Sequence, residues 1–261
     1  MELILIIGAA IYGIAACGYL YALWWTETEE QPKARWFLWA ATIYWVPAFV
    51  VGAAHYQLCT GTRPWLIVSA WFLGLLYIIL DRRFSLAALG SFVTALATLL
   101  CTFAFLVSPA DEPVLSGPLA DWVLWIHIAL AFLGVIAFGF ASAFSVLHLI
   151  AARLIKQKSQ GVLSQKLPPL EILDHFSLRS VTIGFPFYTV ALFLGSIQAV
   201  RHGTGEIKLT YIFAAVSWVI YAIVLQARIT AGWRGRRAAQ LTLAGLIAAL
   251  IVVGLYSTGA G

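Results

Sequence analysis

Long stretches free of Asp, Glu, Lys and Arg govern what this chain can fold into. Eight occur: Leu3–Trp25, Trp36–Thr62, Pro64–Leu80, Phe84–Ala110, Trp122–Ala152, Ser180–Val200, Leu209–Ala227 and Ala238–Gly261. A bilayer core of about 30 Å is crossed by about 20 helical residues, with a usual range of about 17–25. All eight runs reach that range. The fold expected is therefore all-α: a polytopic membrane protein with eight transmembrane helices, residues 1–261 forming one integral-membrane domain. Composition removes the alternatives. The chain is 62% hydrophobic and 10% charged, against about 25% charged for a soluble domain, so it cannot cover itself with a polar surface. Trp122–Ala152 is too long for one straight span and is expected to tilt or project. The first run follows Met1-Glu2 with no basic segment and exceeds a typical signal-peptide core of about 7–15 residues, so it reads as a retained helix.

Basic residues set the orientation. One set of loops holds Lys33, Arg35, Arg82, Arg83, Arg153, Lys156, Lys158, Lys166, Arg228, Arg234, Arg236 and Arg237; the opposite set holds only Arg63, Arg201 and Lys208. Under the positive-inside rule the first set faces the cytoplasm and both termini face outside. The net charge of +5 is thus mostly a topology signal, and no nucleic-acid partner is expected. Trp24, Trp25, Trp36, Trp65 and Trp122 fall at run ends, as an interfacial aromatic belt requires. Cys17, Cys59 and Cys101 form no CxxC or CxxCH pattern, which leaves them as packing residues. Pro168-Pro169 closes the basic connector and stops any continuing helix. Gly184-Phe185-Pro186 is expected to kink the sixth span.

Ionisable groups inside a membrane are costly, so each is a candidate for function. His55 lies near the outer end of the second span and His127 about five residues into the fifth. At 1.5 Å per residue each sits roughly 5–8 Å below the outer interface. Two imidazoles at one depth suit the axial positions of haem iron, and aromatic neighbours including Tyr56, Trp65, Trp122 and Trp125 suit the walls of a flat ligand. The plainer alternative is two bundle-facing histidines, each bonded to a neighbouring helix. His148 and His175 form a comparable inner pair, with the alternative that both reach interfacial water. Arg179, one turn beyond His175, either pairs with Glu171 or Asp174, snorkels, or meets an anionic group such as a propionate. His202 reads as solvated. Gly232-Trp233-Arg234-Gly235-Arg236-Arg237 reads as a tight turn with a topology anchor, or as a contact for lipid headgroups, an anionic ligand or a cytosolic partner.

Several of these elements occur in a fixed order: His127-Ile128 opening a long span, Leu167-Pro168-Pro169-Leu170, Ile183-Gly184-Phe185-Pro186, Ser217-Trp218-Val219-Ile220-Tyr221, and Gly232-Trp233-Arg234-Gly235. The series resembles the cytochrome c assembly (CcsA/CcmC/HemX) family of haem-handling membrane proteins, best over residues 122–256 and closest to the eight-span HemX and YpjD branch. The resemblance implies a multi-pass protein of the bacterial inner membrane that binds haem, of the b type. It implies His55 and His127 as iron ligands, with Trp122 and Trp125 beside that cofactor, and an inner cluster with His175 and Arg179 as a second cofactor-binding site. Members that deliver haem to cytochrome c carry a Trp-rich outer segment; here that place holds only Arg201-His202-Gly203-Thr204-Gly205-Glu206-Ile207-Lys208. Their second outer His falls in an LH-x-R sequence, where this chain reads Leu225-Gln226-Ala227-Arg228.

Two functions follow from the resemblance. One is haem binding or transit without catalysis. The other is a regulatory scaffold, acting on haem biosynthesis at the level of glutamyl-tRNA reductase, that docks a protein partner through Arg234, Arg236 and Arg237. A small-solute transporter fits less well, because the span cores hold no Asp or Glu and the chain shows no internal repeat. An enzyme is not expected, since no nucleophile constellation, paired buried carboxylates or CxxC is present.

Overall fold

A computed structural model describes residues 2–24, 36, 38–40, 42–43, 63–84, 87–106, 118–158, 167–201 and 209–257. His55, Cys59, Lys166 and His202 lie outside this set. Among the described residues the chain is helical and contains no strand. Seven helices have defined bounds: α1 (Glu2–Trp24), α2 (Arg63–Phe84), α3 (Ala87–Leu106), α4 (Pro118–Lys156), α5 (Leu170–Arg201), α6 (Leu209–Thr230) and α7 (Arg236–Ser257). Four described stretches are long and apolar enough to cross a membrane: Ile126–Lys156, Leu170–Ile197, Leu209–Thr230 and Arg236–Leu255. Two shorter apolar stretches, Ile6–Tyr21 and Leu89–Thr102, lie in α1 and α3. The protein is a helical, membrane-embedded, multi-pass chain.

The chain divides into two compact units: Met1–Pro113 with Ile150–Pro169, and Val114–Leu149 with Leu170–Gly261. In the first, α3 packs against α1 and α2. Tyr19 and Tyr77 meet edge to face with ring centroids 5.8 Å apart. Gly90 makes room for them, since a Cβ there would lie 2.6 Å from the Tyr77 hydroxyl and 2.7 Å from the Tyr19 ring. Thr94, Thr98 and Thr102 each return a hydroxyl hydrogen to the carbonyl four residues back in α3. This satisfies them inside an apolar helix.

In the second unit, α6 packs against α5 and α7. Its core gathers Phe138, Ala141, Val181, Tyr188, Tyr221 and Val224. Phe138 stacks on Tyr221 at 3.6 Å between centroids and meets Tyr188 edge-on at 5.3 Å. Small residues let α4 and α5 approach: a Cβ on Gly184 would lie 2.7 Å from the Ala137 Cβ, and one on Gly134 would lie 2.9 Å from the Tyr188 Cβ. Close backbone approach through small residues is a common way for helices to pack in lipid, where apolar side chains gain little by leaving the tails. Polar groups in this core are closed on one another. Ser217 donates to the Ala214 carbonyl, so the Tyr188 hydroxyl, 2.7 Å away, donates to Ser217, and Trp218 donates its indole hydrogen to Thr189.

α4 has 39 residues, about 58 Å at 1.5 Å per residue, which matches the expectation of a helix that outruns the bilayer core. α5 starts directly after Pro168-Pro169 and continues through Pro186. Its start lies ten residues before the charge-free run at Ser180, because the helix carries Glu171, Asp174, His175 and Arg179 within its first turns.

Candidate functional site

His127 and His148 are 21 residues apart on α4, about 31 Å along the axis, so they mark two ends of the second unit. At the first end, the His127 Nδ1 lies 2.6 Å from the Ala191 carbonyl of α5. A backbone carbonyl only accepts, so Nδ1 carries the proton and donates. The neutral ring then presents Nε2 with its lone pair free, the arrangement by which a backbone carbonyl orients a metal-binding imidazole. Gly195, one turn on from Ala191, leaves the ring its space. A Cβ there would lie 2.7 Å from Cε1 and 3.2 Å from Nδ1 of His127. The site therefore consists of a seated, half-buried imidazole whose Nε2 has no hydrogen-bond partner among the described residues. Trp122 and Trp125 lie on the same helix in the turns before His127, and their side chains are outside the described set, as is His55. Nothing in the sequence pattern singled out Gly195.

At the second end the polar groups form a connected network. The Arg228 side chain is 2% exposed, and its Nη1 lies 3.2 Å from the Asp174 Oδ1. It also donates to the Asp174 carbonyl at 3.2 Å and, through Nη2, to the Ser177 hydroxyl at 3.4 Å. Ser145 spends its hydrogen on the Ala141 carbonyl, so Ser177 donates to Ser145, 3.1 Å away. A directed chain thus runs from Arg228 through Ser177 and Ser145 into α4. Arg228 Nε is buried without a hydrogen-bond partner among the described residues. His148, also buried, donates from Nδ1 to the Leu170 carbonyl at 3.3 Å.

The Gly-Trp-Arg-Gly element closes this network. Gly232 and Gly235 both adopt positive φ, 63° and 71°, which other residues take only with strain. Gly232 ends α6, where Trp233 N–H returns to the Ala227 carbonyl at 3.0 Å, a glycine-type helix cap. Gly235 opens α7, and its N–H donates to the Asp174 Oδ1 at 3.4 Å. A Cβ on Gly235 would come to 3.5 Å from the His148 Nε2. The element is a two-glycine turn docked on Asp174 beside His148, with Arg234, Arg236 and Arg237 exposed.

Among the described residues Asp174 pairs with Arg228 rather than with Arg179. His175 and Arg179 both lie on the exposed side of α5, whereas His148 is buried. The described contacts of His148 run to Leu170 and Gly235, and none joins it to His175. Sequence reasoning left Arg228 among the loop cations and missed its pairing. The available signal was opposite charge at the same end of two neighbouring spans. No group of three or more His, Cys, Asp or Glu suited to a metal ion occurs among the described residues.

The family profile described as "Cytochrome C assembly protein" matches residues 64–258. The chain belongs to the cytochrome c assembly protein family. This family membership covers more of the chain than residues 122–256, where the resemblance is most legible in the sequence. Relatives include the cytochrome c biogenesis protein CcsA of Guillardia theta, 25% identical over 199 residues, which are 67% of this chain and 65% of that protein. CcsA of Chlamydomonas reinhardtii is 27% identical over 213 residues, 74% of this chain and 58% of that protein. CcsA of Synechococcus sp. (strain JA-2-3B'a(2-13)) is 37% identical over 90 residues, 33% of this chain and 25% of that protein. The matched region thus spans less than two thirds of the length of each of these relatives. No solved structure matches the chain.

Proposed function

We propose that this family member is a haem-binding or haem-handling membrane protein of cytochrome c biogenesis or haem homeostasis, and not an enzyme. The observation that carries the reading is the seat of His127: Nδ1 is committed to the Ala191 carbonyl, Nε2 is left for iron, and Gly195 is the gap that holds the ring. The donor and its orientation fit haem iron, which takes neutral imidazole nitrogen as an axial ligand. Bound haem b would supply an iron centre whose spin state reports that ligation. His127 contributes the lone pair, and the Ala191 carbonyl raises its basicity through the shared hydrogen bond. The second imidazole expected from the sequence is His55, with Trp122 and Trp125 as ring walls; His175 and Arg179, 16 and 12 residues before Ala191 on α5, belong to a separate inner cluster, a second candidate site for an anionic group. The reading further takes the protein to be of the HemX type, with eight spans in a bacterial inner membrane and both termini outside.

Purification of the full chain from haem-replete cells, followed by its visible spectrum with and without added hemin, tests this. A low-spin Soret band is expected, weakened in His127→Ala and in His55→Ala. A fully hemin-treated preparation with no Soret band would refute the reading.

A second reading, a scaffold for a partner protein in haem biosynthesis, draws on the exposure of Arg234, Arg236 and Arg237 on a fixed turn. Replacing all three with Gln and measuring tetrapyrrole output tests it; an unchanged output in a normally inserted protein would refute it.

A further inference from the structure

α4, α5 and α6 meet in layers that keep one register. In the layer nearest Asp174, Ser145 of α4 meets Ser177 of α5, and Ser177 meets Arg228 of α6. Eleven residues along each helix, Gly134 faces Tyr188, and the Tyr188 hydroxyl meets Ser217. A further seven residues along, His127 faces Gly195. The same seven-residue step on α6 leads from Ser217 to Thr210, and both lie on the buried face of that helix. Seven residues are nearly two turns, so the step keeps the face as well as the level. A direct contact between α4 and α6 gives the same placement. Phe138 stacks on Tyr221, and His127 and Thr210 each lie eleven residues before their member of that pair, just over three turns.

The layers differ in how their polar groups are satisfied. In the first two, a side chain of α5 closes on one of α6: Ser177 accepts from Arg228, and Tyr188 donates to Ser217. In the His127 layer α5 supplies Gly195, which has no side chain to offer. Thr210 is 4% exposed, and its hydroxyl has no hydrogen-bond partner among the described residues. Thr182, Thr189, Thr230 and Thr242 each return the hydroxyl hydrogen to the carbonyl four residues back. Thr210 is the second residue of α6, so its helix holds no such carbonyl for it. A buried hydroxyl left unpaired in apolar surroundings is costly, and here it lies in the layer of the imidazole proposed to bind iron.

We infer that the Thr210 hydroxyl is the second polar contact of the ligand held by His127, donating its hydrogen to a propionate carboxylate of haem. The inference rests on the haem reading of His127. Away from the iron, the carboxylates are the strong acceptors that haem offers, and the rest of its rim is hydrocarbon. A hydroxyl that donates to a carboxylate makes a charge-assisted bond, stronger than one between neutral groups. Thr210 thus positions the macrocycle about the iron–His127 axis, while His127 holds the metal.

Titration of the full chain in detergent with hemin, and with iron protoporphyrin IX dimethyl ester, tests it for wild type, Thr210→Val and Thr210→Ser. Valine keeps the shape of threonine and removes the hydroxyl. Thr210→Val should bind hemin about tenfold more weakly, the loss of one hydrogen bond to a charged group. Its Soret position should not move, because His127 still ligates the iron. Thr210→Ser should bind hemin as wild type does. The ester lacks the carboxylates and should bind to wild type and Thr210→Val alike. Without ligand, Thr210→Val should melt no lower than wild type, since it removes an unpaired buried hydroxyl. Equal hemin affinity of wild type and Thr210→Val would overturn the inference and leave the haem reading standing. An equal loss with hemin and ester would overturn it in favour of a contact at the iron. A ligand-free Thr210→Val that melts well below wild type would overturn it in favour of a structural hydroxyl. A wild type with no Soret band after hemin treatment would overturn the haem reading, and this inference with it.

Discussion

At the His127 end of α4 one imidazole nitrogen is tied to a carbonyl and the other has no hydrogen-bond partner among the described residues. At the Asp174 end nearly every polar group is tied to another, from Gly235 N–H through Asp174, Arg228 and Ser177 to Ser145. Both ends contain a buried or half-buried histidine, but only the His127 ring depends on a glycine for room, since a Cβ on Gly195 would lie 2.7 Å from it whereas one on Gly235 would meet the His148 Nε2 at an ordinary 3.5 Å. They differ in whether the valences are spent. A closed network in an apolar setting fixes helices relative to one another, and losing one member strands the rest. An open lone pair on a fixed ring awaits a ligand. His148 also gives only Nδ1 to a carbonyl, so the ends are told apart by the tied groups beside the ring, Asp174, Arg228, Ser177 and Ser145, and not by the depth of the histidine alone.

The largest effect that tests this contrast is expected at the closed end. Asp174→Ala leaves the buried Arg228 guanidinium without its counter-charge, and about 3–5 kcal/mol of stability should be lost. Denaturation in detergent micelles measures it. Replacing the pair together, Asp174→Leu with Arg228→Met, should cost much less, and an equal cost would show that the network is not closed in the way described. At the open end, Gly195→Ala places a Cβ 2.7 Å from the His127 ring. Overpacking of this kind costs about 1–3 kcal/mol. Displacing the ring from the Ala191 carbonyl should weaken hemin binding by about 10–100-fold, as loss of an orienting partner does at metal sites. Hemin titration of the variant reads this directly.

Smaller effects separate backbone strain from network loss. Gly232→Ala and Gly235→Ala both force a side chain into positive φ, at about 1–2 kcal/mol each. Only Gly235 also touches the network, through Asp174 and His148. The stability loss should therefore be greater for Gly235→Ala, and Asn at either position should recover part of it. The smallest effect is expected for His148→Leu. It removes one 3.3 Å bond to the Leu170 carbonyl, worth about 0.5–1.5 kcal/mol. The hemin spectrum should not change. A lost Soret band in that variant would erase the distinction between the two ends.

The helices were largely legible from the charge-free runs, since α1, α2, α3 and α7 begin and end within a few residues of them. The marked exception is α5, which begins ten residues before its run because its first turns carry Glu171, Asp174, His175 and Arg179, with Asp174 paired to Arg228 of α6. A rule that ends a span at a charge fails where two charges meet across helices, and sequence alone does not say which ones do. His127 was legible as an ionisable group inside a span. Its seat was not, because the Ala191 carbonyl and the Gly195 gap come from a helix more than sixty residues away and carry no chemical signature. The Gly-Trp-Arg-Gly element was visible as a turn; its docking on Asp174 required the fold.

The central claim is that the Nε2 of His127 ligates haem iron. Chemical rescue tests it most directly: the visible spectrum of hemin-loaded His127→Gly, with and without added imidazole. The account predicts loss of the low-spin Soret position in the variant and its return when imidazole fills the vacated seat beneath the Ala191 carbonyl. A His127→Gly spectrum identical to wild type without imidazole would contradict it.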